Sequence, residues 1–232
     1  MDFSKFLSII ESGSLFLTKV NKMSDLLEGK YPMKTRQSWE RAHMHLPQFL
    51  RDIIIENQTE NYKSLSETTY ISCWRADDKT SYHMWDAYTK GIDGIAIKST
   101  TKRLHGGLFK FRAEIGLPVH IAKVFYVDFN KDASANDLLI YQFINKSKDY
   151  RHEKEFRAIL MEGLIPTTNF NREALRINHE NGIGYPVDIN LLIDEVHITP
   201  FASKDYKRNV EELLLKYNIN KPVFQDEVID IY

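Results

Sequence analysis

The stretch Arg151 to Leu160, R-H-E-K-E-F-R-A-I-L, joins a dense group of charges to the start of an apolar run. In an extended chain, successive side chains point to opposite faces. One face would then carry Phe156, Ala158 and Leu160. The other would carry Glu153, Glu155, Arg157 and Ile159. This alternation predicts a core strand with one apolar face and one face bearing two carboxylates and a guanidinium.

The segments on either side of this strand predict an irregular mixture of strands and helices. β-branched and aromatic residues favour strands at 68–74, 94–99, 121–129, 155–161, 185–189, 195–199 and 223–229, with a short one beginning at Leu15. Helical spacing of apolar residues favours helices at 2–12, 78–90, 136–145 and 206–217. Because strands and helices do not alternate regularly, the fold class is predicted to be α+β, with a mixed β-sheet core flanked by helices.

The segment 21–62 is predicted to be a helical insertion over this core, with Phe49, Ile53 and Ile54 as its apolar face. The whole chain, 1–232, is expected to be one domain, because no repeat, low-complexity tract or Pro- or Ser-rich linker marks a boundary. With 31 basic and 32 acidic residues the formal charge is −1, which excludes a generally basic nucleic-acid coat. A single cysteine and the lack of an 18-residue apolar run predict a cytoplasmic protein without a membrane partner.

Glu153, Glu155 and Arg157 are the candidate catalytic residues. Carboxylates two residues apart on a strand repel one another, and repulsion raises a carboxyl pKa unless a cation compensates, which Arg157 could do. Such a pair suits acid/base chemistry, or a hydrogen bond to a sugar hydroxyl near a developing positive carbon. The alternative is that Glu153 and Arg157 form an i, i+4 pair on a solvated helix.

Aromatic residues provide a candidate ligand wall. Trp74 ends a strand, and Met84, Trp85 and Tyr88 share one face of the next helix, so they could enclose a base or a nicotinamide ring. Ordinary core packing is the alternative, and Cys73 fits a small hydrophobe better than a nucleophile. Two further residues, Ser72 and His152, stay ambiguous. The histidine either partners the carboxylates or points into the core with Phe156.

The turn D-L-L-E-G, Asp25 to Gly29, places two carboxylates before a glycine. A helix cap or a salt bridge explains Asp25 and Glu28 better than a metal does, because a hard cation needs more oxygens than this turn supplies. The histidines lack zinc-ligand spacing, and no nucleophile elbow occurs. No metal site is therefore predicted.

Taken in order, eight segments of the chain resemble a bacterial and phage family known as domain of unknown function 2971. They cover nearly the whole chain. The segments are F-L-S-I-I-E-S-G-S-L-F-L (6–17), D-L-L-E-G (25–29), S-C-W (72–74), S-Y-H-M-W-D-A-Y (81–88), G-I-A-I-K-S-T (94–100), V-F-Y-V-D-F (124–129), H-E-K-E-F-R (152–157) and L-L-I-D-E-V-H-I-T-P (191–200).

The family pattern in turn looks like that of ADP-ribosyltransferase folds, which implies an enzyme that handles NAD as substrate. In that analogy Glu155 hydrogen-bonds the nicotinamide ribose, Glu153 orients the acceptor, and Ser72 lies on the middle strand. The partners implied are a small nucleotide and a nucleic-acid or protein acceptor. Family members carry a short strand with an aromatic-Arg-Tyr or aromatic-His-Tyr signature just before the position of Met1. Either the start codon is placed late, or this member lacks the residue that would hold the ribose.

Two other functions compete with NAD chemistry. A magnesium-dependent nuclease or phosphoesterase would use Asp25, Glu28, Glu153 and Glu155, and it requires the turn carboxylates to lie within about 5 Å of Glu153. A non-catalytic interaction module in phage–host conflict would use the charged strand as a recognition surface.

Overall fold

A computed structural model describes residues 1–77, 82–89, 93–136, 138–164 and 170–227. The strands are β1 (Ser14–Lys19), β2 (Thr69–Arg75), β3 (Ile95–Lys98), β4 (His120–Lys123), β5 (Phe125–Val127), β6 (Asn145–Ser147), β7 (Glu155–Met161), β8 (Ile177–His179), β9 (Gly182–Pro186), β10 (Glu195–Ile198) and β11 (Val223–Gln225). The helices are α1 (Phe3–Ser12), α2 (Met33–Ala42), α3 (Gln48–Glu67), α4 (Tyr82–Thr89), α5 (Thr101–Phe109), α6 (Arg112–Ile115), α7 (Ile189–Leu192) and α8 (Lys204–Lys216). Short 3-10 turns include Leu139–Phe143 and Lys148–Glu153.

The largest sheet has six strands in the order β4-β7-β2-β1-β9-β8, and each neighbouring pair is antiparallel. A second sheet has the order β11-β10-β3, and β5 pairs in parallel with β6. Helices flank these sheets, and α2 and α3 form the insertion expected over 21–62. The predicted α+β class is therefore confirmed.

Three apolar clusters fill the protein. The first lies on one face of the large sheet and includes Tyr70, Ala158, Leu160 and Tyr185. The second joins α1 and α8 to the small sheet around Phe6, Val196 and Val210. The third lies on the opposite face of the large sheet and includes Ile71, Phe143 and Ile159. Strand β7 contributes to the first and third clusters because its side chains alternate between the two faces of the sheet.

Capping residues define both ends of α1 and the start of α8. Asp2 accepts a hydrogen bond from the backbone N–H of Lys5 at the start of α1, and Gly13 ends that helix with φ +59°. Ser203 caps α8 in the same way through Tyr206. These caps explain why α1 and α8 agree closely with their predicted positions.

The predicted helix over 136–145 is wrong. A 3-10 turn over Leu139–Phe143 is followed directly by β6, and residue 137 lies outside the described residues. Its backbone hydrogen bonds join residues three apart, as from the Tyr141 N–H to the Leu138 carbonyl. At its end, the Phe143 carbonyl accepts from the Arg157 guanidinium, and the Ile144 carbonyl accepts from the Phe125 N–H. These tertiary hydrogen bonds hold the end of the turn against β7 and β5, where the chain becomes extended as β6.

Other boundaries also differ from the predicted ones. The strand expected over 121–129 is divided at Val124 into β4 and β5, and the one expected at 185–189 runs over Gly182–Pro186. At Gly182 a Cβ atom would lie 2.3 Å from the Leu17 carbonyl oxygen, so the strands meet there only because the residue is glycine. The predicted helix at 78–90 is described over 82–89, and the last strand over 223–225; residues 228 and 229 lie outside the described part.

The insertion is largely solvated. Two residues of its expected apolar face, Phe49 and Ile53, are 62% and 48% exposed, so that part of the prediction is wrong. Leu65, near the end of α3, is buried and packs with Val20 and Ile71. Among the residues that the structure describes, every helix is too short or too polar to cross a membrane.

Candidate functional site

Strand β7 carries the charged side chains into the protein interior. From Glu155 onward the alternation is as predicted: Arg157 and Ile159 share a face with Glu155, while Ala158 packs into the cluster on the other face. Glu153 departs from the prediction. It belongs to the preceding 3-10 turn, and Lys154 between the two acids has φ +46°, so the chain becomes extended only at Glu155.

Arg157 is fully buried, and all five of its N–H donors are used. Its terminal nitrogens each lie 2.6 Å from one carboxylate oxygen of Glu28. Nε and Nη2 lie 2.8 Å and 3.3 Å from the two oxygens of Glu155, and Nη1 also donates to the Phe143 carbonyl at 2.7 Å. The guanidinium has exactly five donors, so its hydrogen bonding is complete without water.

Lys146 links the two acids that the sequence had singled out. Its Nζ lies 2.5 Å from Glu153 Oε2 and 3.0 Å from Glu155 Oε2, and 4.0 Å from Glu28 Oε1. The same nitrogen lies 4.9 Å from the centre of the Tyr150 ring. We call Glu28, Lys146, Glu153, Glu155 and Arg157 the charge cluster. Glu153 is its most exposed carboxylate, with 24% of the side chain accessible to solvent.

The charge cluster holds three carboxylates and two cations, so one negative charge is uncompensated when all five are ionised. Burial alone would raise the pKa of Glu155, but the hydrogen bonds and charge of Arg157 outweigh it and hold that pKa below its ordinary value. Burial raises the pKa of Glu28 even against the opposing effect of Arg157. Because both oxygens of Glu28 receive a guanidinium N–H, its geometry is that of a carboxylate ion.

Lys146 keeps its charge for a similar reason. Burial would lower the pKa of Lys146, but the carboxylates of Glu153 and Glu155 outweigh it and raise the pKa above its ordinary value. Lys146 is therefore an ammonium group that holds the two acids together rather than a proton donor or a nucleophile.

Three polar side chains adjoin the charge cluster. The Cys73 thiol hydrogen-bonds Glu155, and desolvation together with the Glu155 carboxylate raises the pKa of Cys73. Partial burial and the Glu153 carboxylate raise the pKa of Tyr88, which is 63% exposed. The Tyr126 hydroxyl accepts from the Glu155 backbone N–H at 2.8 Å. A thiol with a raised pKa is not an activated nucleophile.

The aromatic wall predicted from the sequence is not assembled. Ser72 and Trp74 pair with Ala158 and Phe156 on β7, which places them on the face of the sheet opposite Arg157 and Glu155. Trp85 is buried elsewhere, with its indole N–H donating to Asp226 at 3.0 Å. Of the predicted wall, Tyr88 comes near the acids. Side chains at adjacent positions of a strand point to opposite faces of the sheet. Cys73, rather than Ser72 or Trp74, therefore shares a face with the acids.

His152 neither joins the acids nor enters the core. It is exposed in the 3-10 turn, and its Nδ1 lies 3.2 Å from the Asp149 carbonyl oxygen. Both readings of His152 left open by the sequence are thus corrected. The strand that would point it inward with Phe156 begins only at residue 155.

The turn at 25–29 separates its two carboxylates. Glu28 forms the ion pair with Arg157, which agrees with the salt-bridge interpretation, whereas Asp25 accepts from the backbone N–H of Leu27 within the turn. Gly29 follows with φ +73°, which is the left-handed conformation that glycine adopts freely. No group of three His, Cys, Asp or Glu side chains within the described residues could hold a metal ion.

Two residues of the site, Lys146 and Tyr126, were not predicted from the sequence. Lys146 follows directly after the helix predicted over 136–145, and Tyr126 lies in the strand predicted over 121–129. Lys146 is only seven residues from Glu153, but no local pattern pairs either residue with the acids. A partial signal existed for Glu28 and Arg157, because each was singled out as a charged residue in an unusual setting, but their pairing across 129 positions was not foreseeable.

Comparisons of the chain with protein-family models, with curated proteins and with solved structures find no match. The resemblance drawn from the sequence motifs therefore stays a prediction.

Proposed function

We propose that the protein cleaves the bond between nicotinamide and ribose in NAD, and passes the ADP-ribosyl group to water or to another acceptor. The observation that carries this proposal is the uncompensated negative charge of the charge cluster, which reaches solvent at Glu153. Breaking the N-glycosidic bond develops positive charge on the ribose, and fixed negative charge stabilises such a transition state.

The proposed reaction needs no group beyond the substrate and the acceptor. The bonding electrons leave with the ring nitrogen, which converts the nicotinamide cation to neutral nicotinamide. The positive charge is then shared by the anomeric carbon and the ring oxygen of ribose. Glu155, held ionised by Arg157 and Lys146, faces this charge. Glu153 orients the water or acceptor and takes the proton that it releases when the new bond forms.

The order of strands favours the same proposal. The resemblance implies a Ser-bearing strand close to a Glu-bearing strand, and β2 and β7 are neighbours in the large sheet. In this proposal Ser72 has no role at the reacting centre, because it faces away from the acids. Tyr88 and Tyr126 lie near the acids and are available for substrate contact.

Release of nicotinamide from NAD by the purified chain, followed by liquid chromatography, tests the proposal. We expect Glu155→Gln and Glu153→Gln to lose at least about a hundredfold in rate, as removal of a transition-state charge commonly does. Glu173→Gln is the matched control, because Glu173 is exposed and makes no ion pair among the described residues. Thermal unfolding of each variant separates loss of chemistry from loss of fold.

Two results would remove the proposal. One is the absence of both nicotinamide release and any NAD-induced shift in unfolding temperature. The other is release that is unchanged in a folded Glu153→Gln variant, since the exposed acid would then have no part in the reaction.

A further inference from the structure

A separate cavity of about 220 Å³ lies where α5 and α6 meet β4 and β9. Its floor is apolar: Leu108 is buried, and Tyr185 is fully buried with its hydroxyl donating to the Leu117 carbonyl at 3.2 Å. Its rim carries His105, Phe109, Arg112 and His120. A buried apolar floor beneath a polar rim is the usual form of a small-molecule site.

The rim presents an aromatic surface to solvent. Phe109 is 55% exposed, so its ring is accessible from solvent at the edge of the cavity. His105, one helical turn earlier, lies with its ring centre 5.5 Å from that of Phe109 and with the rings tilted by 21°. Pro118 and Val119 extend this surface on the opposite side of the cavity. The base of a nucleotide is a flat ring that such a surface would hold.

The rim also carries basic side chains without acidic ones. It contains Arg112 and two histidines but no acidic residue. None of these three makes an ion pair within the described residues, and the guanidinium of Arg112 lies 5.9 Å from the centre of the Phe109 ring. Nearby Lys110, in contrast, is neutralised by Asp188 at 2.6 Å. An unpaired guanidinium beside two imidazoles is suited to a phosphate group, which accepts several hydrogen bonds at once.

We propose that this cavity binds a nucleoside monophosphate, with the base packed on Phe109 and the phosphate held by Arg112, His105 and His120. The cavity volume matches a ligand of one ring system and one phosphate rather than a dinucleotide. Both imidazoles offer an N–H donor to a phosphate oxygen. The proposal does not rest on the chemistry proposed for the charge cluster.

Titration of the full chain with AMP, adenosine and inorganic phosphate, followed by NMR of the His105 and His120 imidazoles, tests this site. We expect saturable shifts with AMP, and affinities at least about tenfold weaker for adenosine and for phosphate, because each lacks one half of the contact. Arg112→Gln and Phe109→Ala should each weaken AMP binding about tenfold or more. Both residues are exposed, so these variants should fold.

Arg36→Gln provides the matched control, since it removes the same charge from an exposed arginine that makes no ion pair among the residues described. A Glu153→Gln variant that binds AMP like the parent chain supports a site apart from the charge cluster. The proposal is overturned if AMP gives no saturable shift, if AMP and inorganic phosphate bind equally, or if Arg112→Gln leaves AMP affinity unchanged. Failure of the chain to cleave NAD would not bear on this proposal.

Discussion

Arg157 is the largest fully buried side chain among the described residues. Taking a guanidinium out of water is costly, and the cost is offset here by five hydrogen bonds and two carboxylates. An arginine pairs both oxygens of Glu28 in one plane, which a lysine could not do. The geometry around residue 157 therefore requires an arginine and not merely a positively charged side chain.

Arg157→Met should destabilise the protein strongly. It leaves Glu28 and Glu155 without their main partner in the interior, and breaking a buried pair in this way typically costs about 3–5 kcal/mol in free energy of unfolding. Urea denaturation measures the loss. Adding Glu28→Gln to the same chain should recover part of it, because one of the two unpaired charges is removed.

The comparison for Arg157 is Arg172, whose side chain is 42% exposed and which pairs with Glu162 near the surface. Arg172→Gln should cost no more than about 1 kcal/mol, since solvent screens such a pair. A loss of that small size for Arg157→Met would contradict the view that the charge cluster depends on the guanidinium.

At the scale of elements, α1, α8, β2 and β7 could be predicted because each carries a complete local pattern. In α1 the apolar spacing ends at Gly13, and in β7 the alternation from Glu155 to Met161 is unbroken. The 3-10 turn at Leu139–Phe143 could not be predicted, because the group that holds its end, the Arg157 guanidinium on the Phe143 carbonyl, lies 14 positions away. The candidate site could be predicted only in part for the same reason. Glu153 and Glu155 lie on one segment, whereas Lys146 and Glu28 come from other parts of the chain.

A histidine joins three elements at the small sheet. His197 on β10 lies 2.7 Å from Asp226, just beyond β11, and 3.0 Å from Glu195, which also pairs with Lys98 on β3. Asp226 in turn accepts from the Trp85 indole of α4. The hydrogen bond that His197 donates to Asp226 outweighs burial and, with Glu195, raises the pKa of His197 above its ordinary value.

This raised pKa predicts a stability that falls with rising pH. The charged imidazole is stabilised in the folded state, so its contribution is complete below about pH 6.5, the ordinary value, and is lost as pH rises through the folded pKa. Urea denaturation of the parent chain and of His197→Gln at about pH 6 and pH 9 isolates the effect. The variant should lose more stability at the lower pH. Equal losses at both pH values would show that protonation of His197 contributes nothing to the free energy of unfolding.

At the scale of the whole molecule, burial is distributed unevenly. The sheet strands β2 and β7 lie between two apolar clusters, whereas the side chains described for α3 include just two that are buried, Leu65 and Ser66 near its end. A helix held by so little packing depends on its own hydrogen bonds, which are weak in isolation. The part of the insertion before residue 60 should therefore open without unfolding the sheet.

Hydrogen exchange followed by mass spectrometry measures this difference directly. Amides at 50–60 should exchange at least about a hundredfold faster than those at 156–161, because the helix opens locally while the strand is released only when the sheet unfolds. Residues 63–67, which approach the buried Leu65, should lie between these limits. Equal protection along α3 and β7 would mean that the insertion and the sheet unfold as one unit. The exposed faces of Phe49 and Ile53 would then have to be covered in solution.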